Sequence, residues 1–406
     1  MFVGRRSFLS GSGAVAAAAT AVAGSGARVV LADSPAAPGA GPGAALGTAE
    51  IFSADRIHMV EIAADPKELH WLDDDRSHHV ACDVTIDGER YSAANFSERG
   101  TAGSAAALAD KSSFAVRFGK ERPKDLKKLW LKNSRQDDTY VHEHLTSDLF
   151  RRAGLPSYLT SHGVVYLNGA PYGVFVLIEA MDTTFLQKWF GKGTGNFYQA
   201  SSVDFAVNYL DRRITNENDD DAADSAGGVD PAKRADLAAL ADAVNTPDDD
   251  EFLVRIRERL DLDSYLTYFA LEGVVADWDG PAFNVNNYCL YHNPADDRMV
   301  LVARDFDIGY DVTFDPLKPP VSRLAQRIRA IAELNDRWSA EIGRIMDTVW
   351  DLEVMFSRID QVVRLFRRYE PPRGRVADDV SRILGFAPGV KNLLDARRAQ
   401  WIEGLF

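Results

Sequence analysis

Hydrophobic and polar residues alternate with a period of two through much of the first half of the chain. Val80, Cys82, Val84 and Ile86 alternate with polar neighbours and run into Asp87-Gly88, which predicts a strand entering a hairpin turn. Phe114, Val116 and Phe118 repeat the pattern, and Gly163 to Ile178 predicts a second hairpin with Asn168-Gly169 at its bend. Between them the period changes to that of a helix. Asp137 or Asp138 can cap it, Val141, Leu145 and Leu149 share a face, and Gly154 stops it. From Glu251 onward the helical period takes over. Phe252, Leu253, Ile256 and Leu260 mark one helix; Leu262, Tyr265, Leu266, Phe269 and Val274 mark the next. Two strand-like stretches follow, Val275 to Tyr291 and Met299 to Gly309. Residues 322 to 404 are helical again, broken near Pro371-Pro372 and between Gly385 and Gly389. The pattern predicts an α+β chain, sheet-rich first and mainly helical afterwards.

The N-terminus reads as an address. Gly4-Arg-Arg-Ser-Phe-Leu-Ser10 is a twin-arginine signature, followed by an Ala-rich stretch and small residues before Asp33. A signal peptide over 1–32 is expected, then a Pro/Gly/Ala linker over 33–50. The expected product is a bacterial protein exported already folded to the cell surface or medium. The remainder divides into a sheet-rich part, 51–180, and a mainly helical part, 181–406. An acidic, Ala-rich stretch near 215–250 carries Asp219-Asp-Asp221 and Asp248-Asp-Asp250 and reads as a solvated insertion, partly helical. No later stretch is long and apolar enough to span a bilayer, so no stable membrane insertion is expected after signal removal. The 406 residues carry a net charge of -14, which argues against nucleic acid as a partner. Two distant cysteines, Cys82 and Cys289, make no disulfide framework and are expected as free thiols.

Acids sit at the ends of the two late apolar stretches. Buried carboxylates there are costly to desolvate without partners, and a divalent metal with a polyphosphate would supply them. Asp279 followed by Asn284, then a strand, then Asp305-Phe-Asp307, is the layout a kinase uses for its base and metal ligands. In that reading Asp279 accepts the hydrogen bond of the acceptor hydroxyl, with Asp277 as the alternative acid. Asn284 or Asn287 holds one Mg2+ or Mn2+ ion. Asp305 bridges metal and ATP phosphates, and Asp307 is a second ligand. A cation must also meet the phosphates: Arg117 or Lys111 is the candidate, oriented by Glu143. Glu179 ends an apolar strand, where either a nucleotide-proximal role or a buried pairing with Arg99 or Lys111 accounts for it. Arg99-Gly100 opens a loosely Gly-rich stretch that could cover phosphates. No Walker lysine loop and no dinucleotide fingerprint is present.

From about residue 80 to 315 these pieces resemble the CotH-type (spore coat protein H-like) atypical kinases. The matches are Lys111-Ser-Ser-Phe114, Leu149-Phe-Arg151, Asn168-Gly-Ala-Pro-Tyr-Gly173 with Glu179, Trp278-Asp-Gly280, Asn287-Tyr-Cys-Leu-Tyr291 and Arg304-Asp-Phe-Asp307. Arg304 stands where the family has Trp. The resemblance implies a two-lobed atypical protein-kinase-like fold, with a sheet-rich nucleotide-binding lobe and a mainly helical catalytic lobe. It also implies transfer of the ATP γ-phosphoryl group to Ser or Thr of a protein substrate. A non-catalytic pseudokinase acting in surface assembly is the alternative. A glycosyltransferase using the Asp305-Phe-Asp307 acids is a third.

Overall fold

The computed structural model describes residues 46–100, 103–216 and 230–404. The expected signal peptide, most of the linker and Asp219 to Asp221 lie outside the described residues. The described residues pack as one compact unit.

Seven strands form the first layer: β1 Ile57–Ala64, β2 Val80–Ile86, β3 Glu89–Arg99, β4 Ser113–Arg117, β5 Lys128–Lys132, β6 Thr160–Leu167 and β7 Ala170–Glu179. They close into a barrel in the order β1-β2-β3-β4-β5-β7-β6. Neighbours are antiparallel except β1 and β6, whose parallel pairing closes the ring. The first part is sheet-rich as expected, and its sheet closes into a barrel, which leaves it no free edge. The period-two pattern explains the interior. Val84, Ile86, Phe96, Phe114, Val116, Leu129, Leu131, Phe175 and Leu177 fill it. On β7 the alternate residues Val174, Val176 and Ile178 face outward and join the second core. This strand is therefore apolar on both faces and reads as a continuous run rather than an alternation.

The second core belongs to the rest of the chain. It is built from α1 His142–Arg152, α2 Thr183–Phe190, β8 Phe197–Ala200, β9 Ile214–Asn216, α3 Ala235–Val244, α4 Asp249–Arg259, α5 Leu262–Val274, β10 Tyr288–Asn293 and β11 Arg298–Ala303. After them come α6 Arg323–Ala330, α7 Ala332–Thr348, α8 Leu352–Arg368, α9 Arg375–Phe386 and α10 Val390–Ile402. Strands β11-β10-β8-β9 form an antiparallel sheet.

Four expectations are corrected. The helix after Asp137 has more than one buried face: residues 143–150 of α1 are all buried, because the helix runs through the middle of the molecule. Asp137 does support its start, accepting the His142 N–H at 3.0 Å. The acidic stretch is not wholly a solvated insertion, since Leu237, Leu240 and Val244 of α3 are buried and the Asp248 side chain caps α4. The first late stretch is a strand only from Tyr288; before it come a turn and the short helical turn Pro281–Asn284. Finally, ordered structure starts inside the expected linker, where Thr48 N–H bonds the Lys124 carbonyl at 3.1 Å. Cys82 and Cys289 form no disulfide and are buried, one in the barrel and one in the second sheet.

Candidate active site

A cavity of about 380 Å³ lies between the barrel wall and the second sheet. Its barrel side comes from β5 and the end of β3. Lys128, Leu129, Trp130, Leu131 and Lys132 alternate strictly: the two leucines enter the barrel, and Trp130 and Lys132 turn to the cavity. The Arg99 guanidinium lies 4.0 Å above the Trp130 ring, a cation–π contact. Arg76 reaches in beside it and pairs with Glu98 at 3.1 Å. Gly100 ends β3 at φ +115°, where a side chain would be strained and its Cβ would sit 3.1 Å from the Ser104 carbonyl.

At the floor of the cavity four charges meet. Lys132 Nζ is 2.6 Å from Glu143 Oε2 and 3.2 Å from Asp307 Oδ2, and it also bonds Asp305 Oδ1. Burial opposes the lysine charge, but the three carboxylates outweigh burial and hold it well above the ordinary lysine range. Asp305 is buried against its charge too, yet Lys132 and Arg304 bring its carboxyl down to about 2. Asp307 lacks that compensation. Burial, with the Asp305 and Glu143 charges, pushes it up to about 7 against the pull of Lys132.

Helix α1 holds this loop from behind. Glu143 Oε1 accepts the Tyr158 hydroxyl hydrogen, while Oε2 accepts the Phe306 N–H at 3.2 Å. The Tyr158 oxygen in turn accepts the Asp305 N–H at 2.9 Å. Phe306 is fully buried and stacks on Phe150 of α1 with ring centroids 4.9 Å apart. Full burial of such a ring contributes roughly 1.5–3 kcal/mol, which anchors the loop. Asp305 adopts φ +64°, a left-handed conformation that an aspartate tolerates better than most residues.

Asp279 belongs to a second cluster. Three amides converge on its carboxylate: Asn284 at 2.5 Å, Asn286 at 3.1 Å and Asn287 at 2.9 Å. Asp277 lies within electrostatic reach of both clusters. It is fully buried, and burial followed by the charges of Asp279, Asp305, Asp307 and Glu143 pushes its carboxyl well up. Its Oδ1 has no hydrogen-bond partner among the described residues.

A family model described as CotH kinase protein matches residues 98–372, more than half of the chain. The chain belongs to the CotH kinase family. The Invasin CotH2 of Rhizopus delemar is 24% identical over 199 residues, which are 46% of this chain and 32% of that protein. The chain thus spans about a third of that relative's length. Among solved structures, the Helicobacter pylori proinflammatory kinase CtkA overlaps 72% of this chain and 95% of its own at 9% identity, with a TM-score of 0.32. The Shewanella oneidensis HipA, HipB and operator DNA complex overlaps 76% and 64% at 10% identity, with a TM-score of 0.29.

Within this CotH-family chain, the cation that pairs with Glu143, Asp305 and Asp307 is Lys132, which sequence reasoning missed. The signal was present in Lys128-Leu-Trp-Leu-Lys132, a five-residue alternation with its lysines off the apolar face. Both expected cations are elsewhere. Arg117, at the far end of β4, puts Nη1 2.8 Å from His79 Nε2. Lys111 precedes β4 at φ +72° and buries its Nζ 2.8 Å from Asp379 and 2.7 Å from the Tyr140 hydroxyl. Glu179 pairs with neither Arg99 nor Lys111; it accepts the Leu159 N–H at 3.0 Å and faces Lys188 at 3.4 Å. Arg99, Gly100, Glu143 and Asp305 line the cavity. Asn284 and Asn287 meet Asp279 rather than Asp305 or Asp307.

Among the described residues no three His, Cys, Asp or Glu side chains converge tightly enough to hold a metal ion. The chemistry of the donors does suit one. They are hard oxygens, which Mg2+ and Mn2+ prefer, and the orphaned Asp277 Oδ1 is a buried carboxylate oxygen in want of a positive partner.

Proposed function

We propose that this chain is an ATP- and divalent-metal-dependent protein kinase that phosphorylates Ser or Thr hydroxyls of a protein substrate. The observation that carries the reading is Lys132 on β5 paired with Glu143 on α1, with Asp305 in the same cavity. A strand lysine held by a helix glutamate beside a metal-binding aspartate is the arrangement protein kinases use to grip ATP phosphates. In this reading the barrel is the nucleotide lobe and the helical remainder is the catalytic lobe.

Trp130 and Ile178 offer apolar surface to the nucleotide base, and Lys132 meets the phosphates. Asp305 and Asp307 would hold the metal, with the carbonyl oxygen of Asn284 or Asn287 as a further ligand. Bound there, a divalent ion would neutralise charge on the transferring phosphoryl group. Asp279 accepts the hydrogen bond of the acceptor hydroxyl, and its three asparagine amides fix the carboxylate's orientation. The bond to the γ-phosphorus forms from the hydroxyl oxygen as the bond to ADP breaks, ADP leaves, and the hydroxyl proton passes to Asp279.

The test is incubation with labelled ATP and Mg2+ or Mn2+. Transfer to the chain itself or to added protein is expected, and Asp305→Ala should remove it without unfolding. Absence of transfer with every metal would sink the reading.

One observation favours a second reading, nucleotide binding without turnover. Lys132 already pairs with Asp305 and Asp307, so it occupies carboxylate oxygens that a metal would need. Stabilisation by ATP with no transfer would select it.

We also propose export by the twin-arginine route, which the Arg5-Arg6 pair supports. Replacing both arginines by lysine should retain the protein in the cytoplasm. Unchanged export would exclude that route.

A further inference from the structure

The turn that carries Asp279 is wrapped around another carboxylate. Glu272, on α5, is fully buried. Its Oε1 accepts the N–H of Ala282 at 2.8 Å and that of Phe283 at 3.4 Å. These donors open the helical turn Pro281–Asn284, where N–H groups have no partner inside the helix. The Glu272 backbone carbonyl accepts the Asp277 N–H at 3.0 Å. Between these points Gly280 lies directly on the carboxylate, and a Cβ there would come within 2.6 Å of Oε1. The start, middle and end of the segment 277–284 therefore all rest on one residue.

An apolar side chain would pack α5 at lower desolvation cost. Burial and the nearby Asp277 charge both push the Glu272 carboxyl well up, and its Oε2 has no hydrogen-bond partner among the described residues. A plain helix-packing role leaves that cost unexplained. What the carboxyl alone supplies is an acceptor oxygen at the start of the Asp279–Asn284 turn.

We propose that Glu272 is a positioning residue, holding the Trp278-Asp279-Gly280 turn so that Asp279 and Asn284 keep their placement at the acceptor side of the site. The proposal rests on the kinase reading of Asp279.

The experiment compares transfer kinetics of the full chain with those of E272Q, E272D and G280A. E272D withdraws the acceptor oxygen, and G280A pushes the turn off it. Each should lower kcat about 100-fold, the scale of a misplaced reacting group. Neither should change the KM for ATP, because Lys132 and Trp130 are untouched. E272Q keeps the acceptor oxygen and should retain kcat. Wild-type kcat in E272D, or equal loss in E272Q and E272D, overturns the proposal. If E272D does not fold, G280A against E272Q carries the comparison. If the wild-type chain transfers no phosphoryl group, the kinase reading fails separately. Positioning is then read by amide hydrogen exchange. Segment 278–287 should exchange faster in E272D or G280A and at the wild-type rate in E272Q; equal exchange in all four proteins overturns it.

Discussion

Lys132 on β5 and Glu143 on α1 hold their charges 2.6 Å apart across the junction of barrel and helix. The same Glu143 oxygen accepts the Phe306 N–H, so the pair and the Asp305 loop form one unit. A change at either residue should be felt at both the cavity and the loop.

Lys132→Met is expected to lower transfer by about 10²–10³-fold, the scale for loss of one preorganised electrostatic group. It should also abolish stabilisation by ATP. Radiolabel transfer and thermal shift measure the two effects. Retention of both would remove Lys132 from the site.

Glu143→Ala leaves Lys132, Tyr158 and the Phe306 N–H without their shared acceptor. Breaking a buried pair by removing one partner costs about 3–5 kcal/mol, so the urea midpoint should fall clearly. Glu143→Gln keeps an acceptor oxygen and should fall less. Equal midpoints for the two variants would contradict the geometry described.

Asp305→Asn is a sharper probe of metal dependence than Asp305→Ala. Asparagine tolerates the left-handed backbone at φ +64°, whereas alanine adds strain. Asp305→Asn should fold normally, bind Mn2+ more weakly by calorimetry and lose transfer. Chelation should silence the wild type, and added Mg2+ or Mn2+ should restore it. Transfer that survives chelation would remove the metal from the reaction.

Lys111 predicts a pH effect on stability. Burial lowers its ammonium to about 8 even though Asp379 opposes the shift. Between about 8 and the ordinary lysine value of about 10.4, the unfolded chain binds more protons there than the folded one. This contribution to stability therefore rises with pH across that window and is flat below it. Chemical denaturation of wild type and Lys111→Met at stepped pH should show the wild type gaining on the variant above about 8. A difference that shrinks over the same window gives the opposite sign and would falsify the assignment.

The hairpin at Asn168-Gly169, the helix after Asp137 and the helical second half were legible in the chain. Each rests on local periodicity and turn chemistry, which act within a few residues. The Asp305-Phe-Asp307 acids were legible as costly groups flanking apolar runs. Lys132 was harder to read. Five residues with a lysine at each end resemble an exposed strand until Glu143, Asp305 and Asp307 are seen to surround it.

Lys111 shows the converse. It fits a family motif and precedes a strand, but its partner Asp379 is 268 residues away and on α9. No local pattern reports a pairing over that separation. The same holds for barrel closure: alternation predicts strands and their inward faces, but not that β1 will meet β6. By itself the sequence determined the hairpin strands, the helix after Asp137 and the helical second half, and which acids needed partners, because those follow from spacing and desolvation cost. Tertiary structure decided that Lys132 meets the Asp305 loop and which carboxylates share it, because electrostatic pairing depends on distance in space and the chain brings those groups together only when it folds.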